Sequence, residues 1–281
     1  MERLCDLHVH SHFSDGTFAP GQLLQLAQQA GLSAIALTDH NTVDGLPEFM
    51  KAAGSSPVEA VPGIEFSVDF RDVELHILGL FIKPCHYEKI SAMMDEQVRR
   101  KEESNLNLVA ALRKDGYELD YEKMKASTPN GFVNRALVAA ALTEKGYTPS
   151  IQDAFRQLLS PKGPYYVPPK RPDAYEMIGF IRSIGAAAVW AHPFLQLDAD
   201  GVNGFLPKAV EMGLQGMEVY YPKYDAETTR LACQIADTYG LLPSGGSDFH
   251  GSNKPDIQIG TGRGELKIPY DWLEAIRKNI A

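Results

Sequence analysis

The stretch "DLHVHSHFSDGT" (residues 6–17) carries three of the chain's eight histidines, His8, His10 and His12, at alternate positions, with Asp15 just behind them. The apolar run it grows out of, "RLCDLHV" (3–9), reads as a strand. Side chains two apart on a strand share a face, so His8 and His10 point the same way. Three alternating imidazoles at a strand end ask for a purpose: a metal, an acid–base pair, or an accident of composition.

Working outward, similar runs recur. "SAIALTD" (33–39) leads to Asp39 and His40, "VEAVPGIEFSV" (58–68) ends near Glu65, and "VELHILGLFI" (73–82) carries His76. "AAAVWAH" (186–192) ends in His192, "GMEVYY" (216–221) follows, and "LLPSGGSD" (241–248) leads to Asp248 and His250. Amphipathic helical patterns stand between several of them, such as "PGQLLQLAQQAG" (20–31) and "DAETTRLACQIADTYG" (225–240), with Gly31 and Gly240 as C-terminal stops. Strands alternating with helices predict an α/β fold. In parallel α/β folds ligands bind at the carboxyl ends of the strands. The imidazoles and carboxylates therefore converge on one face, which answers the opening question in favour of a site.

Residues 90–166 differ in character. "SAMMDEQVRRKEESNLNLVAALRKDG" (91–116) is a long charged amphipathic helix, and further helical patterns run to "SIQDAFRQLL" (150–159). "SPKGPYYVPPKRP" (160–172) leads back. The expected organisation is a barrel formed by 1–89 and 167–281, with a helical insertion, 90–166, between the fourth and fifth strands.

The composition, 44% hydrophobic and 22% charged over 281 residues, is that of an ordinary globular protein. No apolar run reaches the roughly 18 residues of a membrane helix, and "MERLCDLHVH" lacks a long apolar signal core. Three widely spaced cysteines suggest neither a disulfide framework nor a zinc knuckle, and a reducing cytoplasm is the expected location. A formal net charge of −9 argues against coating a polyanion, while leaving room for a small anionic substrate in a local basic pocket.

Several neutral imidazoles with a few carboxylates suit Zn, Mn or Fe rather than Ca or Mg alone. A cluster of this size holds more than one ion, and Glu65 is the natural bridging carboxylate. Sites with two ions stabilise both the attacking and the leaving oxygen of a phosphoryl transfer. Other polar residues have plainer readings. His86 and His12 read as ordinary core or surface histidines, Asp6 as a buried structural carboxylate, and Asp44 as a helix cap. The cysteines read as buried small side chains.

In this order, "DLHVHSHFSDGT", "ALTDHNTVDG", "GIEFS", "HILGL", "AHP" and "GGSDFHG" resemble the motifs of the PHP (polymerase and histidinol phosphatase) family, over nearly the whole chain. The resemblance implies a distorted (β/α)7 TIM-like barrel with two or three divalent metal ions that hydrolyses phosphoesters. It implies one ion on His8, His10, Glu65 and Asp248. A second shares Glu65 and adds His76 and His192. A third uses Asp15, His40 and His250, with Asp15 standing where some members carry histidine. "NRALVAAALTEKGY" (134–147) and "AFRQLLSPKGPYYVP" (154–168) look like the branch that acts on 3′,5′-bisphosphate nucleotides or trims short RNA from its 5′ end.

The expected reaction is hydrolysis of a nucleotide phosphate monoester by water activated at the metals. Glu65, Asp248 and His192 form the catalytic centre, and His12 is an unligated acid–base candidate. Arg135 is the first choice to clamp the substrate phosphate, because guanidinium binds it in bidentate fashion. Lys162, Lys170 and Arg171 are weaker choices, and Tyr165 and Tyr166 are candidates to stack on a base. No membrane and no stable protein partner is expected. The competing readings are a histidinol-phosphate-type phosphatase, an amidohydrolase on the same barrel, and a metal-binding regulatory domain without turnover.

Overall fold

The computed structural model describes residues 3–128 and 133–280. In chain order the elements begin with β1 (Leu4–Val9), α1 (Pro20–Gln29), β2 (Ala34–Leu37), α2 (Leu46–Ala53), β3 (Glu59–Phe70) and β4 (Val73–Leu80). Then come five helices, α3 (Tyr87–Lys114), α4 (Tyr121–Ala126), α5 (Arg135–Glu144), α6 (Ile151–Gln157) and α7 (Ala174–Ser183). The chain continues with β5 (Ala187–Ala191), α8 (Ala199–Glu211), β6 (Gly216–Tyr220), α9 (Ala226–Thr238), β7 (Leu242–Gly245), β8 (Ile268–Pro269) and α10 (Tyr270–Lys278). It divides into two compact units, Met1–Ser91 with Arg171–Ala281, and Ala92–Lys170.

The first unit is a barrel. Its strands run in the order β7-β6-β5-β4-β3-β2-β1-β8. The segment after β7 returns to β1, where His10 N donates to Phe249 O and Asp248 N to His8 O, so the sheet nearly closes. Gly246 permits that approach, since a Cβ there would sit 2.1 Å from the Cβ of His8. The helices are set by local chemistry: Asp225 caps α9 by accepting from Thr228 N at 2.7 Å, and Gly31 and Gly240 lie just past α1 and α9 with φ of +74° and +66°.

Two features depart from the run of parallel strands read in the sequence. The eighth strand, β8, pairs antiparallel with β1. More consequentially, β4 is antiparallel to both neighbours, β3 and β5. Arg71 and Asp72, at φ of +52° and +66°, form the tight turn between β3 and β4, and a two-residue link permits only an antiparallel pair. His76 therefore lies mid-strand in β4, yet level with Ala191 at the end of β5. Glu65 is not near a strand end either: β3 runs on to Phe70, and Glu65 bridges His40 beyond the end of β2.

A bulge changes the β1–β2 register between Asp6 and Val9. Cys5 and Leu7 belong to an apolar cluster with Ala36, Val61, Leu78, Val189 and Leu273, whereas His8 and His10 face the polar centre. Bulges re-aim side chains in this way beside active sites. Asp6 is the buried structural carboxylate expected: it accepts from Ser247 N, Ser247 Oγ and Gly260 N at 2.8, 2.5 and 2.7 Å. Asp44 does not cap α2, whose N-cap is Gly45. Only Cys5 of the three cysteines is buried, and all three are free.

The helical unit has its own apolar core, including Leu108, Leu112, Val138, Leu142 and Leu159. Asp120, Asn134 and Ser150 cap α4, α5 and α6. Among the described residues of the whole chain, no helix is long and apolar enough to cross a membrane.

Candidate metal centre

Glu65 stands at the middle of five imidazoles. Its Oε2 lies 3.1 Å from His8 Nε2, 3.2 Å from His10 Nε2 and 2.9 Å from His40 Nδ1. Its Oε1 lies 2.8 Å from His76 Nδ1 and 3.1 Å from His192 Nε2. Asp248 Oδ1 adds contacts of 3.3 Å to His10 Nε2 and 3.4 Å to His250 Nδ1. Nearer solvent, Asp15 Oδ1 lies 3.1 Å from His250 Nε2, and its Oδ2 lies 3.9 Å from His40 Nε2. All nine sequence-predicted ligands are thus brought together. His40 stands between the two parts of the cluster, one nitrogen toward Glu65 and the other toward Asp15.

Positive φ angles occur where the chain must turn side chains into this centre. Asn41, His192 and Asp248 have φ of 52°, 32° and 54°. Each non-glycine residue held there costs on the order of 1–3 kcal/mol. Asn41 is held by a reciprocal pair with Ser67, and its N–H donates to Glu65 O at 2.9 Å.

Charge follows the geometry. Burial disfavours ionised Glu65, but His40, His8 and His76 hold its carboxyl well below the usual range. Burial likewise opposes the imidazolium of His10 and His76. Asp248 and Glu65 nevertheless raise His10 to about 9, and Glu65 and Glu74 raise His76 to about 10. Burial keeps His40 below its ordinary value.

The donor set fits divalent cations. His8 Nε2, His10 Nε2, His40 Nδ1 and Glu65 Oε2 are buried and have no hydrogen-bond partner, and they face one another. They are four of the eight such atoms among the described residues. Unpaired buried polar atoms are costly, and a cation is what satisfies three nitrogens and an oxygen converging at these distances. Three groups have ligand atoms close enough to share an ion: His8, His10 and Glu65; His40, Glu65 and His76; and His10, Asp15, His40 and His250.

A sequence model of the PHP domain matches residues 6–166, more than half of the chain. The chain belongs to the PHP domain family. A phosphoribosyl 1,2-cyclic phosphate 1,2-diphosphodiesterase of Eggerthella lenta is 32% identical over 88% of this chain and 94% of that protein. A 5′-3′ exoribonuclease of Haemophilus influenzae is 29% identical over 89% and 91%. A 3′,5′-nucleoside bisphosphate phosphatase of Chromobacterium violaceum is 28% identical over 91% and 90%. A crystal structure from Bifidobacterium adolescentis, assigned as a metal-dependent phosphoesterase, superposes with a TM-score of 0.75 at 28% identity, covering 98% of this chain and 95% of that one. This PHP chain is a hydrolase of phosphoester bonds.

Residues around the PHP centre that the sequence did not single out hold the candidate ligands from behind. Tyr221 OH and Lys254 Nζ donate to Asp248 Oδ2 at 2.7 and 2.6 Å, leaving Oδ1 to the histidines. Burial, with Asp248 beside it, pushes the Tyr221 phenol up, so it remains a donor. Glu218 contacts both His8 and His192. The one available signal was a carboxylate set between Met217 and Val219 in an otherwise apolar strand.

The remaining expected site residues fall elsewhere. His12 is exposed, with its ring stacked on Phe13 at 4.7 Å. Arg171 pairs with Glu74 at 2.5 Å rather than standing open to an anion. In the helical unit, the half-buried Arg135 lies 4.2 Å over the ring of Tyr166 and donates to Leu159 O at 3.3 Å. That contact takes the Tyr166 face proposed for a base. Tyr165 OH donates to Asp115 at 2.8 Å. Lys162 and Lys170 are exposed.

Proposed function

We propose that the chain hydrolyses phosphoesters of phosphorylated ribose compounds, removing phosphate from 3′,5′-bisphosphate nucleotides or releasing mononucleotides from the 5′ end of short RNA. The observation that carries this reading is the convergence of five imidazoles on a fully buried Glu65 whose Oε2 has no hydrogen-bond partner. The nucleotide-directed relatives, each matched over about nine-tenths of its length, supply the substrate class. The E. lenta relative favours a second reading, a cyclic ribose phosphodiester, on the same chemistry.

The proposed holders are His8, His10, Glu65 and Asp248 for one ion, Glu65, His76 and His192 for a second, and Asp15, His40 and His250 for a third. Mn, Zn or Fe suits this donor set. When bound, such ions supply a nucleophile at neutral pH and neutralise charge on the phosphoryl oxygens. Glu65 spans two ligand groups with its two oxygens. Tyr221 and Lys254 hold Asp248 so that one oxygen is presented inward. His12, which among the described residues pairs with no carboxylate of the cluster, is the proposed proton donor to the leaving oxygen. Arg135, whose planar fork is pre-oriented by Tyr166 and Leu159, is the proposed phosphate clamp, with Lys162 and Lys170 as lesser contacts. Three free thiols support a reducing, cytoplasmic setting.

The test is hydrolysis with Mn²⁺ of adenosine 3′,5′-bisphosphate, a short 5′-phosphorylated RNA, phosphoribosyl 1,2-cyclic phosphate and histidinol phosphate, read as mononucleotide release for the RNA and as phosphate release for the others. Preference for either of the first two is expected. Preference for the cyclic compound selects the second reading, and preference for histidinol phosphate overturns both.

A further inference from the structure

Strand β6 contributes none of the nine proposed ligands, yet it buries a carboxylate against two of them. Glu218 is 0% exposed, and no lysine or arginine pairs with it among the described residues. Its Oε1 lies 3.0 Å from His8 Nδ1. Its Oε2 accepts from the backbone N–H of His192 at 2.7 Å. The two oxygens thus reach across the sheet to β1 and to the residue just after β5.

We propose that Glu218 is the positioning residue of the metal centre, fixing the ring of His8 and the backbone of His192 with one carboxylate. This rests on the reading of His8 and His192 as ligands. A carboxylate accepts hydrogen bonds only, so the proton of neutral His8 is held on Nδ1. Nε2 is then the lone-pair nitrogen, and it is this atom that lies 3.1 Å from Glu65 Oε2 without a hydrogen-bond partner. A carboxylate on the far nitrogen also makes the near one a better ligand.

The second contact acts on backbone rather than ring. His192 has φ 32° and ψ 54°, a left-handed conformation that a β-carbon disfavours. The charge-assisted bond from its N–H to Glu218 holds it there. That turn delivers Nε2 to 3.1 Å from Glu65 Oε1, opposite the oxygen met by His8. One residue therefore governs a nitrogen on each side of the bridging carboxylate. The cost of an unexposed carboxylate without a lysine or arginine partner is offset by these two contacts.

Glutamine at this position keeps the size and spoils the chemistry. An amide has one acceptor oxygen and one donor nitrogen. If the nitrogen faces His8, the ring proton moves to Nε2 and blocks ligation. If it faces His192, two N–H groups oppose each other in the turn.

The experiment uses the full chain, stripped of metal and titrated with Mn²⁺ by calorimetry, as wild type and Glu218→Gln. Affinity is expected to fall about 10- to 100-fold in the variant. In ¹⁵N-histidine-labelled, Zn²⁺-loaded wild type, His8 is expected to carry its proton on Nδ1, and the variant to lose that signal. A residue with only a structural role would lower the melting temperature of the metal-free protein and leave both readouts unchanged; that result overturns the proposal. If Glu218→Gln does not fold, Glu218→Asp carries the test: its shorter arm serves one partner, so a smaller loss of affinity is expected, and wild-type affinity overturns the proposal. A wild-type chain that takes up no Mn²⁺ overturns the ligand reading itself, and this inference with it.

Discussion

The two units spend polar groups in opposite ways. The barrel buries His8, His10, Glu65 and Glu218 completely. The helical unit packs an apolar core and keeps most of its ion pairs at the surface, within single helices: Glu96 with Arg99 and Arg100, and Asp153 with Arg156. Exposed pairs at helical spacing contribute little, whereas buried ionisable groups destabilise unless each is partnered. The contrast teaches where chemistry resides. A unit that tolerates five imidazoles around one unexposed carboxylate has given up stability that an apolar centre of the same volume would provide.

The sharpest way to break this contrast is Glu65→Gln. The substitution is expected to leave the fold intact, as read by circular dichroism, and to abolish Mn²⁺ binding and phosphate release together. Loss of several kcal/mol of charge stabilisation corresponds to at least about a hundredfold in rate. Full activity in that variant would remove Glu65 from the bridging role.

A second measurement asks whether the buried imidazoles are held ready for cations. Burial opposes their charge, yet neighbouring carboxylates raise His10 to about 9 and His76 to about 10. In the metal-free protein both are charged at pH 8, and an imidazole binds metal only when neutral. Adding Mn²⁺ or Zn²⁺ at pH 8 is therefore expected to expel protons, detected with an indicator dye, and fewer as the pH passes 10. The same sign governs stability without metal. The contribution of these two groups is complete below the ordinary value of about 6.5 and is lost as pH rises through 9 to 10, so the melting temperature falls over that interval.

Smaller effects are expected from the helical unit. Arg135→Ala should raise KM for a phosphate-bearing substrate while kcat stays within about threefold, a loss of binding shared by ground and transition states. Unchanged KM would leave Arg135 with its packing role, the hydrogen bond to Leu159 O and the contact over Tyr166, the latter of about 0.5–2 kcal/mol. The smallest effect is expected from Arg99→Ala, which should leave both the melting temperature and turnover within error; a clear loss of turnover would show that this surface is not idle.

Most of the barrel was legible because its signals are local. Histidines two apart after an apolar run, or an Asp just past one, announce themselves within a few residues. The reversed β4 was legible in principle, since the short link from β3 has no room for a crossover, but the repeating strand–helix pattern favours a parallel reading. Glu218 was not picked out because its meaning is nonlocal: it becomes a positioning group only when β1 and β5 flank it. The helical unit shows the opposite limit. Arg135 was chosen for what guanidinium binds, and no local pattern foretold that Tyr166 and Leu159 would engage it.

The clasp between Asp6 and Ser247 closes a span of 241 positions. It also decides when in the life of the chain the centre can exist. His8 and His10 emerge well before Asp248 and His250, and each set alone is only part of the proposed cation cage. Closing so long a loop is entropically costly and slow, so the segment after β7 must dock on β1 before the proposed ligands can share an ion. A growing chain of this design is therefore expected to lack the proposed centre until the segment after β7 has met β1.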